Sequence, residues 1–308
     1  MLNTPVLLLI YNRPDLGRRV FDEIKKAAPK KLFIAADGPD DSKESDYNKC
    51  ASARDISRRV DWDCQVYTLF REANLGCEKA VSSAINWFFD NVEDGVILED
   101  DIIPSVSFFL FCEQMLKYYR NDPRLMTVSG SYFGPRLRRY PYSYSFSRYS
   151  FIGGWATWRR AWQYYDNNME SWPKLKKDNW LGTIFNDTRT VNYWATIFDN
   201  SYLGRNNSWA YKWMFSSWAR AGFTAIPRVN LLNNIGYGIQ ATHTKLKKGR
   251  YTKLYAEELI FPLRHPPVIR LDLKVDKYMQ RKYFFYDPVW FVKVVKDIAR
   301  RILKMARK

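Results

Sequence analysis

The first third of the chain alternates short apolar runs with amphipathic stretches, and this alternation limits the fold more than any other feature. Pro5-Val6-Leu7-Leu8-Leu9-Ile10-Tyr11 has no charged side chain to turn toward water, so it reads as a strand buried on both faces. Asn12-Arg13-Pro14-Asp15 is a turn, and a helix is predicted from about Leu16 to Ala28. Lys31 to Ala36 is the next strand and ends at Asp37-Gly38-Pro39. A helix to about Val60, a strand from Cys64 to Phe70, a helix from Cys77 to Asn91 and a strand from Val96 to Leu98 follow. Strands separated by helices of roughly 10–15 residues imply βαβ units and a parallel sheet. The expected fold class is therefore α/β, Rossmann-like, with a mostly parallel sheet flanked by helices. After Pro104 a helix Phe108–Tyr119 and a strand Leu125–Ser129 are predicted. Residues 130–238 are aromatic and resist assignment.

The fourth strand runs directly into Glu99-Asp100-Asp101. Clustered carboxylates at the carboxyl end of a buried strand lie where open α/β sheets bind their ligands. Such oxygens suit Mg²⁺ or Mn²⁺, ions usually shared with substrate phosphates. A solvated acidic turn is the alternative. No glycine-rich GxGxxG or Walker loop follows the first strand, which argues against a dinucleotide or P-loop enzyme.

The net charge of +17 is unevenly spread. Residues 1–130 hold 17 Lys+Arg against 21 Asp+Glu, whereas residues 131–308 hold 32 against 11. The basic half implies an anionic partner, whether phosphate, nucleic acid or an acidic membrane surface. No RRM, KH or helix-turn-helix signature is present, so nucleic acid is not the expected partner. Aromatic residues make up 17% of the chain and suit either a cleft that stacks on sugars or a plain core. Cys50, Cys64, Cys77 and Cys112 form no CxxC pair and are expected as free thiols, which argues against a zinc site. No signal peptide or membrane-spanning run is visible, and a cytoplasmic protein is expected.

Several pieces, in order, resemble a known family. They are Leu9-Ile10-Tyr11-Asn12-Arg13-Pro14, Ala35-Ala36-Asp37-Gly38-Pro39, Arg71-Glu72-Ala73-Asn74-Leu75-Gly76-Cys77 and Ile97-Leu98-Glu99-Asp100-Asp101, then Gly153 to Trp162 and Val229 to Thr244. Together they resemble the bacterial GT-A glycosyltransferases often labelled haemolytic-protein-like. More distantly they are similar to the N-acetylglucosaminyltransferase I family, whose metal motif is also Glu-Asp-Asp. The resemblance covers about residues 5–245. It implies a nucleotide-sugar donor, UDP at family level, and Mn²⁺ or Mg²⁺. Asp101 would coordinate the metal, Glu99 and Asp100 would contact the ribose or donor sugar, and Asp37 would bond the base. Asn12 and Arg13 would line the nucleotide pocket, and Gly154, Trp155 and Trp209 an acceptor or donor-sugar pocket. Arg71 and Lys79 are candidate diphosphate partners, with surface charge as the alternative for each. His243, late in the chain, would complete the metal site.

The organisation implied is a nucleotide-sugar-binding half over 1–130, an acceptor-binding half over 131–270 and a basic amphipathic tail over 271–308. From Lys274 onward the tail carries 11 basic and 3 acidic residues. A helix capped by Asp287, with Pro288 at its first position, would place Phe291, Val294, Val295, Ile298, Ile302 and Met305 on one stripe. Such a helix suits peripheral attachment to the inner face of an anionic membrane. The expected activity is an inverting transfer of sugar to a glycan or lipid-linked acceptor in bacterial surface-polysaccharide synthesis. A sugar-nucleotide pyrophosphorylase shares the sheet and acids but needs a glycine-rich loop that Asn12-Arg13-Pro14 does not supply.

One departure stands out. An inverting transfer needs a carboxylate to take the acceptor proton. The resembling proteins carry Trp-Asp-Tyr where this chain reads Trp209-Ala210-Tyr211. Either position 210 has been altered to inactivate the chain, or another carboxylate such as Asp166, Asp187 or Asp199 serves, or the chain binds a donor without turning it over.

Overall fold

The computed structural model describes residues 1–135, 140–236 and 255–285. The strands β1 (Val6–Ile10), β2 (Lys31–Ala36), β3 (Gln65–Phe70) and β4 (Asp94–Glu99) alternate with helices α1 (Pro14–Ala27), α2 (Glu44–Arg54) and α3 (Cys77–Asn91), and a 3₁₀ turn follows α2 at Asp55–Arg59. A short strand β5 (Ile102–Pro104), helix α4 (Val106–Tyr118) and strands β6 (Leu125–Ser129), β7 (Tyr144–Ser147) and β8 (Gly154–Trp158) follow. The second half adds α5 (Arg159–Trp162), α6 (Trp172–Lys177), α7 (Trp180–Ile184), α8 (Thr188–Tyr202) and α9 (Trp209–Ala219). Strands β9 (Phe223–Pro227) and β10 (Leu232–Asn234) come next, and α10 (Leu273–Met279) continues into a π turn at Gln280–Phe284.

Eight strands form one mixed sheet in the order β3-β2-β1-β4-β8-β6-β9-β7. β1 lies parallel between β2 and β4, with Leu9 opposite Ala35 on one side and Glu99 on the other. All five residues of β1 are buried, as an uninterrupted apolar strand requires. The chain moves outward through β2 and β3, then returns to the far side of β1 with β4. That reversal opens a crevice at the carboxyl ends of β1 and β4. β8 pairs antiparallel with both β4 and β6, while β10 and β5 form a separate two-stranded ladder just beyond the acids. This is the expected α/β architecture, and the α3 and β6 boundaries coincide with those read from sequence.

Two apolar clusters hold the fold. The larger runs from Leu2 to Leu263 and crosses residue 130 without a break. The smaller is largely aromatic and lies between α8, α9 and α10, with Trp194 edge-on to Trp218 at 4.9 Å and to Tyr193 at 5.2 Å. Residues 273–285 pack into this second cluster through Val275, Met279 and Tyr283. The beginning of the expected tail is therefore part of the body, while Asp287 to Lys308 lie outside the described residues. Among the described residues no helix is long and apolar enough to cross a membrane.

Asp276 anchors α10. Its carboxylate accepts from Ser147 Oγ at 2.6 Å and from the Arg148 N–H at 3.3 Å, and Gln280 Oε1 accepts from Tyr149 Oη and Trp194 Nε1. Burial pushes the Asp276 carboxyl up to about 6, despite the Ser147 bond and the charge of Arg148. A raised acid favours the folded state while protonated. Its stabilisation is complete below about 3.8 and is lost as pH rises through about 6. The stability difference between the native chain and Asp276→Asn should therefore shift by on the order of 2–3 kcal/mol between pH 4 and pH 8 in the direction that favours the native chain in acid. Urea unfolding across that range measures it, and a pH-independent difference would refute the assignment.

Candidate functional site

The crevice at β1 and β4 contains a cavity of about 470 Å³. Leu9 and Ile10 of β1, Ala35 and Ala36 of β2, and Ala80, Val81 and Ala84 of α3 give it an apolar floor, and Glu99, Asp100, Asp101, Asp37, Arg13 and Arg71 stand around it. The strand ends supply most of these polar groups, because the residue after the last ladder pair is the first that can turn its side chain out of the sheet.

Arg13 sits at the N-terminus of α1 and reaches both aspartates. Nε and Nη2 donate to the two oxygens of Asp100, and Nη1 donates to Asp101 Oδ2 at 2.9 Å. Burial alone would lower the Arg13 guanidinium, but Asp100 and Asp101 outweigh it and its pKa is raised. Burial drives the Glu99 carboxyl well above its usual range, with Asp101 and Asp100 adding to the rise and Arg13 opposing it. Asp100 is pushed up to about 6 by burial, against the pull of Arg13. Three acids and one guanidinium therefore share a site from which water is largely removed, and the acids outnumber the cation.

Whether a divalent ion fits can be read from Asp101. Its Oδ1 is buried and has no hydrogen-bond partner, while Oδ2 belongs to Arg13. A Cβ built on Gly236 would lie 2.0 Å from Asp101 Oδ2, so only glycine lets this backbone approach the carboxylate. Among the described residues no three His, Cys, Asp or Glu side chains are arranged to hold a metal. Asp101 can supply one oxygen, and a Mg²⁺- or Mn²⁺-type ion that takes its other ligands from water and substrate phosphate fits such a partial set.

Asp37 lines the cavity with its carboxylate already engaged. It accepts from Gly38 N–H at 2.9 Å, Leu75 N–H at 2.9 Å and Gly76 N–H at 3.1 Å, which ties the 73–76 turn to the end of β2. Gly38 allows this closure, since a Cβ there would stand 2.3 Å from the Ala73 carbonyl carbon. Arg71 donates to Ser83 Oγ at 2.7 Å from the cavity wall.

The other expected site residues fall elsewhere. Asn12 donates to Asp46 Oδ1 at 2.7 Å and braces the turn without lining the cavity. Lys79 is exposed on α3 and does not line it either. Gly154 is buried in β8 against Leu232 and Ile102. Trp155 is fully buried among Trp162, Trp209 and Trp213, with ring centroids near 6 Å, and Trp209 is a core residue of the same cluster. These three positions pack the core beneath the crevice because indoles of that size fill the space between β8 and α9. His243 lies outside the described residues. Ala210 is half-buried in the first turn of α9, three residues after Asn207, which does line the cavity. The substitute carboxylates are committed to structure. Asp187 caps α8, Asp166 accepts from Asn168 and Glu170 N–H groups, and Asp199 takes Trp172 Nε1 and Lys176.

Several contributors besides Asn207 were not anticipated. Tyr11 lines the cavity and its hydroxyl donates to Asp46, a buried acid of α2 that also accepts from the Asp40 N–H at 3.3 Å. Asn234 follows from the β5–β10 ladder. Position 11 was open to inference, since it follows its strand as Asp37 follows β2. Nothing in the pattern around Asp46 separates it from the surface acids beside it.

The sequence matches no protein-family profile and no curated protein. Among solved structures, HddC from Yersinia pseudotuberculosis is similar with a TM-score of 0.31 and 9% identity over 51% of this chain and 77% of HddC. A likeness that slight says nothing about activity.

The Asp37 contacts make a stability forecast. Asp37→Ala leaves the Gly38 and Leu75 N–H groups without their acceptor and Gly76 with Asn74 Oδ1 alone, and should cost about 1–3 kcal/mol in urea unfolding, with Asp37→Asn losing less. An unchanged midpoint for Asp37→Ala would show that the turn holds without it.

Proposed function

We propose that this chain is a metal-dependent glycosyltransferase that takes a nucleotide-diphosphate sugar into the β1/β4 crevice and transfers the sugar, with inversion, to a glycan or lipid-linked acceptor. The observation that carries this reading is the convergence of Glu99, Asp100 and Asp101 with Asp37 and Arg71 on one cavity at the carboxyl edge of the parallel strands. The apolar floor suits the flat ring of a base, and the turn tied down by Asp37 walls it in. Arg71 offers a guanidinium to the diphosphate from that same wall. A divalent cation at Asp101 Oδ1 would neutralise charge on the departing diphosphate. Glu99 faces the same cavity, where its carboxyl can hydrogen-bond a sugar or ribose hydroxyl.

The acceptor hydroxyl still needs a base. Position 210 carries no carboxylate, and Asp166, Asp187 and Asp199 are held in structural bonds. That observation favours a second reading of the same site, in which the chain as it stands binds its donor and turns it over slowly or not at all.

A thermal-shift screen of nucleoside diphosphates with and without Mn²⁺ tests the first half of the proposal. Stabilisation of about 2.7 kcal/mol at a hundredfold excess over Kd, reached only with both partners present, is expected. No shift with any nucleotide would remove the reading. Restoring the base is the second test. Ala210→Asp should raise transfer roughly 10²–10⁴-fold, the usual contribution of a positioned general base. Flat turnover in a folded variant would show that the base lies elsewhere.

A further inference from the structure

Arg13 has the geometry of a resident counter-ion. Three of its N–H groups are spent on the acid pair, two on Asp100 and one on Asp101, and among the described residues its side chain bonds nothing else. Its side chain is 20% exposed, and those of Asp100 and Asp101 are 5% and 13% exposed. The guanidinium fork spans both carboxylates and sets a fixed positive charge between them. The one oxygen it leaves bare is Asp101 Oδ1, buried and unpartnered.

We propose that Arg13 neutralises the Asp100/Asp101 pair in the metal-free chain and thereby makes divalent-cation binding conditional on the nucleotide diphosphate. The inference rests on the donor-and-metal reading above and adds an order of binding to it. A cation at Asp101 Oδ1 has the Arg13 Nη1 group on the other oxygen of the same carboxylate, and two positive charges at that spacing repel strongly where water is scarce. Metal alone is therefore held weakly. A diphosphate arrives with negative charge that offsets Arg13, and its oxygens complete the coordination that Asp101 begins. Nη1 is then free to leave Asp101 for the diphosphate. Nε and Nη2 keep Asp100, so α1 stays fastened to the end of β4 throughout the exchange. Without Arg13 the three acids would attract a bare divalent ion directly.

The test measures Mn²⁺ binding to the full chain by the loss of the free-ion EPR signal, with no nucleotide and then with UDP. Wild-type protein should bind Mn²⁺ weakly alone and much more tightly with UDP. Arg13→Gln should bind Mn²⁺ alone on the order of tenfold tighter than wild type, and the gain from UDP should shrink to match. Adding Asp101→Asn should abolish the Mn²⁺ binding of Arg13→Gln, which locates the ion. Arg13→Lys keeps the charge and should stay close to wild type. A folded Arg13→Gln that binds Mn²⁺ no tighter than wild type overturns the proposal. So does an Arg13→Lys variant that binds the ion alone tenfold tighter, an outcome that decides the matter even if the glutamine variant does not fold. Both leave the donor reading standing if UDP and Mn²⁺ still bind together, whereas wild-type protein indifferent to every nucleoside diphosphate with or without metal removes the donor reading itself.

Discussion

The structure depends on where β1 sits. A strand with no polar side chain must be covered on both faces and paired on both edges, and β1 meets that demand by lying parallel between β2 and β4. The chain leaves β1 toward one edge of the sheet and comes back on the other side, which leaves a crevice at the carboxyl ends of β1 and β4. The cavity is the space this reversal leaves. Among the polar residues that face it are those at or just past the strand ends, namely Tyr11, Asp37 and the Glu99–Asp101 run. Chemistry and topology share one cause.

Placing three acids there works against stability. Burial raises Glu99 and Asp100, so their charged forms are disfavoured in the folded state. Structure alone gives no reason to keep them, since a buried ion pair is often no better than a well-packed apolar replacement. Arg13 limits the cost but binds only part of the available oxygen, and the Asp101 Oδ1 atom is left bare. Unmet polar groups in a cavity mark sites that are completed by a ligand. The adjoining bonds follow a different logic. Asp37 and Asp46 are saturated by backbone N–H groups, Tyr11 and Asn12, and they fix the loops that shape the cavity. Acids around one cavity thus divide into those that hold the walls and those that face the contents.

The first half was legible because its rules are local. Continuous apolar runs gave β1 and β2, amphipathic spacing gave α1 and α3, and the strand ends marked the acids. The second half was not, because its pairing is long-range. β8 lies antiparallel between β4 and β6 although some fifty residues separate it from β4, and no period within Gly154–Trp158 names those partners. Tryptophans were the hardest to place. Trp155 and Trp209 would look the same in sequence whether they stacked on a sugar or on each other, and the distinction depends on β8 and α9 meeting face to face. Likewise Asp37 could be placed at the cavity, but its commitment to the 73–76 turn depends on where α3 begins.

The packing of α9 also bears on the missing base. Trp209 and Trp213 press this helix into the main core, and Lys212 ties it to α3 through a 2.6 Å contact with Glu78 that is largely shielded from water. Asn207, just ahead of the helix, accepts from the Glu78 N–H and lines the cavity. These anchors of α9 are residues other than Ala210, which is half-buried and takes no part in them. A carboxylate at that position would contribute chemistry without carrying packing, and its absence leaves the helix, the cavity and the acid cluster in place. Under the proposed function, donor binding and proton removal would sit on separate elements, with strand ends and α3 serving the first and the α9 entrance the second. A change confined to position 210 would then silence one without disturbing the other.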